Sequence, residues 1–127
     1  MKKMLLLPFF LPLLLSVEQL PAQVFVNGKD INAMPEIAFC QVISPSTTYL
    51  IPARVRIDYG QAQGAIAFDK VTGPDRRPAT VHSLAGILNF MDRNGWDFID
   101  NFVSGDAGSG FSYHFLFRKK KSGVTGK

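Results

Sequence analysis

The chain has 127 residues, 14 Lys and Arg against 10 Asp and Glu, a formal charge of +4 and a single cysteine. That length supports one domain with its own core and not two. The mild basic excess makes no case for nucleic acid, and one cysteine excludes an internal disulfide framework.

The first 22 residues read as an address. Lys2 and Lys3 precede the uncharged run "MLLLPFFLPLLL", Met4 to Leu15, well short of the roughly 20 residues of a helical membrane span. Pro8 and Pro12 further weaken a permanent helical span there. A basic start, a short apolar middle and a small residue ahead of the remaining chain describe a secretory signal peptide. The expected cut lies between Ala22 and Gln23, with Leu20 standing where a small residue is usual. Its loss removes Lys2, Lys3 and Glu18 and leaves a formal charge of +3 on about 105 residues. The expectation is a signal peptide over 1–22, one domain over 23–118 and a basic tail over 119–127. The destination is the periplasm, the cell envelope or the outside, with no transmembrane segment after signal removal.

"VFVNGKDI" places Asn27-Gly28 between β-favouring residues, the signature of a tight hairpin. "EIAFCQVI", residues 36–43, is apolar and rich in strand formers, so it reads as a mostly buried strand with Cys40 as a small hydrophobe inside it. "SPSTT" interrupts it. "ARVRIDYG", residues 53–60, alternates cleanly: Val55, Ile57 and Tyr59 on one face, Arg54, Arg56 and Asp58 on the other. "AIAFDKV" is a weaker strand, and "TGPDRRP" a loop.

One helix is expected from Leu84 to Asn94. Ser83 caps its start, Leu84, Ile87, Leu88 and Met91 form an apolar stripe, and Asn94-Gly95 ends it. Two strands follow, Trp96–Val103 and Phe111–Lys119, joined by "SGDAGSG", which reads as loop. Strand parity sets Phe111, Tyr113, Phe115 and Phe117 on one face, and groups Trp96, Phe98 and Phe102 together with Asp100. The rings are expected to serve the core, since a small sheet without disulfides needs large side chains. The fold class is α+β, an antiparallel sheet of about five strands with the helix on one face in two layers. One helix cannot cover such a sheet, so its other face must be polar, covered by loops or buried against another subunit.

"LNFMDRNGWDFI" followed by "YHFLFRKK" resembles small exported proteins of unknown function from Bacteroides-type bacteria, and more distantly a widespread small domain with a helix, a Gly-Trp strand and a closing basic strand. "VNGK" and "YG" segments like Asn27–Lys29 and Tyr59-Gly60 recur in that exported group. The resemblance implies the fold and the address, and assigns no activity or site residue.

Reaction chemistry finds few candidates. His82 and His114 are the two histidines, without a cysteine pair to complete a zinc site. No metal or other cofactor is expected. A hydrolase would centre on Ser109 and His114, with Ser104 as a second nucleophile candidate and Asp106 to orient the histidine. Parity puts Asp97 and Asp100 on opposite faces, so they do not flank one glycosidic bond. The run Arg118–Lys121 offers a site for envelope glycans or anionic lipid. The leading expectation is a non-enzymatic module that associates with itself or with an envelope protein and not with nucleic acid.

Overall fold

In the computed structural model, residues 20–45, 55–62, 70–79, 83–108 and 110–121 are described. The first 19 residues, Tyr49, His82 and Ser109 lie outside them, as does most of the "AIAFDKV" segment.

Asn27 and Gly28 make the expected turn, with φ of 51° and 84°. It joins β1 (Phe25–Val26) to β2 (Lys29–Asp30), with Val26 opposite Lys29. The other edge of β1 takes β5 (Val71–Thr72), giving a three-stranded antiparallel sheet of order β2-β1-β5. Asn27 fixes that pairing. Its amide donates to the Lys70 carbonyl at 2.9 Å, and its side-chain oxygen accepts from the Lys70 amide at 2.9 Å.

A second antiparallel sheet holds β3 (Phe39–Pro45), β4 (Arg56–Asp58), β6 (Trp96–Asp106) and β7 (Gly110–Lys119), in the order β4-β3-β7-β6. The expected single sheet of about five strands is therefore two sheets, of three and four strands. β1 takes β2 on one side and β5 on the other, and Asn27 extends the β1–β5 pairing by its two bonds to Lys70.

The helix α1 (Leu84–Arg93) forms as its sequence dictates. Ser83 Oγ accepts from the Gly86 amide at 3.0 Å, and Gly95 follows with φ of +91°. Ile87 and Met91 are buried, while Leu84 stays 38% exposed at the helix start. The core is one cluster uniting α1, both sheets and the connecting segments; Trp96 and Phe117 are its largest fully buried side chains. Cys40 lies inside it on β3, and burial pushes its thiol up to about 12. Asp58 adds to that rise and Lys119 opposes it. The thiol stays protonated and unreactive at neutral pH.

Two features of the β6–β7 hairpin depart from the expectation. Phe98 pairs with Phe117 and Asp100 with Leu116, so a bulge inserts Ile99 between them. Beyond it parity reverses, and Phe102 lies opposite His114 rather than sharing the Trp96 face. The segment "SGDAGSG" is also not a loop throughout: Ser104, Gly105, Asp106 and Gly110 all belong to the ladder. Gly105 has φ of +103°, and a Cβ there would lie 2.1 Å from the Gly110 carbonyl oxygen. Glycine here lets two backbones approach, and strand pairing continues through residues whose composition suggests a loop.

Asn32 ties the ends of these elements together. Its Oδ1 accepts from the Val24 amide and from Trp96 Nε1, both at 3.0 Å, while its Nδ2 donates to the Asn94 carbonyl at 2.8 Å. Asn32→Ala is expected to destabilise the fold by about 2–4 kcal/mol, because it leaves the indole N–H of a buried Trp96 without a partner. Urea denaturation followed by tryptophan fluorescence measures this directly, since Trp96 is the only tryptophan.

Candidate association surface

The inner face of the four-stranded sheet carries Cys40, Val42, Ile57, Phe115 and Phe117 into the core. The outer face is defined by ladder partners: Arg56, Ile43, His114 and Phe102 form one row across all four strands. The neighbouring row runs Asp58, Gln41, Leu116 and Asp100. Neither row belongs to the core cluster.

β6 is the edge of this sheet. Only Trp96 is buried along it, and the ten residues after Trp96 are all exposed. Phe98 and Ile99 are each 48% exposed, Val103 52% and Phe102 53%. Phe111, on the paired strand, is 44% exposed. The expected core role holds for Trp96, Phe115 and Phe117 and fails for these rings. The physical reason is reach: α1 spans ten residues, about 15 Å, whereas the 11 residues of β6 run to about 35 Å. The far half of the hairpin extends past everything available to cover it among the described residues. The paired apolar steps Phe98-Ile99 and Phe102-Val103 were the available sequence signal, since adjacent apolar residues in a strand load both faces.

His114 sits at the centre of the outer face. Its ring stacks on Phe102 with centroids 4.3 Å apart and planes 8° from parallel. Its Nε2 lies 2.7 Å from Ser104 Oγ. The structure thus brings His114 to Ser104, the second of the candidate nucleophiles. Asp106 lies four ladder positions from Phe102, the residue opposite His114, about 13 Å along the strand. Its Oδ1 accepts from the Gly108 amide in the hairpin turn, so Asp106 does not orient the imidazole. His114 Nδ1 is buried with no hydrogen-bond partner among the described residues, and the same holds for Arg56 Nε. Burial first, and the Arg56 charge second, hold the His114 pKa below its ordinary value. General-base catalysis by this pair passes through an imidazolium, which a neighbouring guanidinium and an Nδ1 without a hydrogen-bond partner among the described residues both disfavour.

The basic run is partly committed to the fold. The Arg118 guanidinium lies 5.5 Å from the Phe39 ring centroid. Lys119 Nζ donates to the Met34 carbonyl at 2.8 Å and sits over the Trp96 ring. Lys120 Nζ donates to the Asp92 backbone oxygen and carboxylate at 2.8 and 2.9 Å, closing on the end of α1. These cations border an open cleft of about 760 Å³ that also includes Ala22, Asn32 and Pro35. Ala22 is exposed and Gln23 half-buried, both in irregular chain ahead of β1. The bulge corrects one further expectation: Asp97 and Asp100, opposite Arg118 and Leu116, share the outer face rather than opposing faces. Both stand exposed on the edge strand, and Asp97 Oδ1 lies 3.9 Å from Lys120 Nζ, one of the cations that border the cleft. Among the described residues, no group of three or more His, Cys, Asp or Glu is placed to hold a metal ion, and no helix is long and apolar enough to cross a membrane.

The lowered His114 pKa fixes the sign of a pH effect. The unfolded histidine takes up a proton near 6.5, and the folded one resists it until lower pH. The stability tied to neutral His114 is therefore present above about 6.5 and is lost as pH falls through that value toward the folded pKa. Thermal melting between pH 7.5 and 5.5 is expected to show a falling midpoint, and His114→Gln is expected to flatten that slope.

Comparison with family models, with curated proteins and with solved structures gives no match to this chain.

Proposed function

We propose that the protein is an exported, non-enzymatic module of the cell envelope that works by association, using the β6–β7 hairpin as its contact surface. The observation that carries this reading is the edge strand β6, which presents Phe98, Ile99, Phe102 and Val103 about half exposed beside an open backbone edge. An exposed apolar edge strand is a ready template for another strand. Clustered apolar exposure of this kind marks interaction sites more often than a monomer's ordinary surface does. The signal-like leader and the resemblance to exported Bacteroides-type proteins support the envelope address.

The hydrolase alternative has one supporting contact, Ser104 to His114, and among the described residues no carboxylate is bonded to that imidazole. Glycan or anionic-lipid binding through Arg118–Lys121 is weakened in the same way, because Lys119 and Lys120 spend their ammonium groups on Met34 and Asp92.

The test is native mass spectrometry of the protein recovered from cells under gentle conditions, beside the double variant Phe98→Ser, Phe102→Ser. The wild type is expected at masses above the monomer, and the variant at the monomer mass with its melting temperature within a few degrees. A wild type found only as monomer, or a variant that keeps every complex, would rule out the hairpin as a contact surface.

A further inference from the structure

Edge strands in stable monomers are usually blunted by charged side chains, lysine above all, by proline, by a bulge or by short length. β6 has 11 residues, contains neither lysine nor proline, and carries its exposed apolar residues in two adjacent pairs. Its charged side chains are Asp97, Asp100 and Asp106, all of one sign. Such an edge accepts a strand that keeps its own carboxylates away from these three.

The strand's own sequence meets that condition best in one alignment, since an axis at Ser104 also keeps the carboxylates apart but sets Phe102 opposite Asp106. Two copies of an antiparallel strand related by a two-fold axis must place one residue opposite itself. An axis at Asp100 sets carboxylate against carboxylate, and an axis at Val103 sets Asp100 opposite Asp106. An axis at Asn101 requires the bulged Ile99 to enter the ladder opposite Val103. An axis at Phe102 avoids all three faults. It uses the regular stretch from Asp100 to Ser104 beyond the bulge, with Asp100 opposite Ser104, Asn101 opposite Val103 and Phe102 opposite itself. The two Phe102 rings then meet as a cross-strand aromatic pair. Each is already stacked on its own His114, so a row of four rings crosses the junction on one face. Val103 is covered at the same time on the other.

We propose that β6 pairs antiparallel with β6 of a second copy about a two-fold axis at Phe102, joining two four-stranded sheets into one continuous sheet. This rests on the reading of the hairpin as a contact surface and names its occupant. Half-exposed rings contribute on the order of 100 Å² each. With the strand backbones added, the interface falls at the low end of specific contacts, below about 1,200 Å² in total. Its dissociation constant is accordingly expected in the micromolar range, about 1–100 µM.

The experiment uses the protein purified as the cell processes it. Sedimentation equilibrium from about 1 to 200 µM is expected to show a monomer–dimer transition, and Phe102→Lys is expected to weaken it at least tenfold with an unchanged circular dichroism spectrum. Under mild oxidation the double variant Asn101→Cys, Val103→Cys is expected to form a covalent dimer in high yield, because the two positions face each other across the axis. Each single variant is expected to stay largely monomeric. Cys40 is buried and does not compete. A strict monomer at every concentration overturns the proposal, as does a dimer that neither responds to Phe102→Lys nor cross-links through these positions. A monomer that instead holds a different protein through a Phe102-dependent contact overturns the second copy as occupant and leaves the hairpin reading standing. A monomer with no such contact removes both.

Discussion

One carboxamide holds the architecture in place. Asn32 accepts from Val24 and Trp96 and donates to Asn94, so a single side chain joins the start of β1, the end of α1 and the start of β6. The backbone around it is equally constrained. Gly95 sits at φ of +91°, and a Cβ there would lie 3.0 Å from Asn32 Nδ2. The Lys120 amide also donates to the Gly95 carbonyl at 2.8 Å, bringing the end of β7 to the same point. Four chain segments thus meet within a few bond lengths, and the direction in which β6 leaves the core is set there.

That anchorage explains how the hairpin can be both firm and uncovered. Trp96 is wholly buried at its root and every later residue of β6 is exposed. β7 lies between β3 and β6 and is therefore bonded on both sides along much of its length. A strand whose partner is internal to the sheet keeps its shape without a covering layer. Its apolar residues are left to face water or another molecule. The bulge at Ile99 then decides which residues face which way, sending Phe102 to the His114 side and Val103 to the Tyr113 side.

Much of the local structure was legible in the residues. The Asn27-Gly28 turn, the Ser83 cap, the apolar stripe of α1 and the alternation around Ile57 all follow from short-range stereochemistry, and all are present. Long-range consequences were not legible. The three-stranded sheet pairs β1 with β5, more than 40 residues away, with Asn27 bonded to Lys70 beside that ladder. The bulge depends on how β6 and β7 accommodate each other, and no spacing in "WDFIDNFV" announces an extra residue. Missing it exchanges the faces of Phe102 and Val103 and separates Asp97 from Asp100, so an error of one residue becomes an error about the whole surface. The contact of His114 with Ser104 lay beyond reach for the same reason, since it requires the ladder to continue through residues that composition marks as loop.

The outer face also shows why exposure on a sheet need not mean a reaction centre. Catalysis asks for polar groups that converge on a site from which water is excluded. Here the histidine–serine contact lies on a pleated surface flanked by a phenylalanine ring and a guanidinium, and among the described residues nothing hydrogen-bonds the other ring nitrogen of His114. Those same components suit recognition between surfaces. A neutral imidazole stacked on Phe102 extends the apolar area with little desolvation cost, and burial first and Arg56 second favour that neutral form. The carboxylates of β6, spaced at 97, 100 and 106, penalise the registers centred on Asp100 and Val103. The bulge removes another, by taking Ile99 out of the ladder. An edge restricted in this way selects a register by repulsion as well as by contact, which is how a short apolar strand can be sticky toward one arrangement without being sticky toward all.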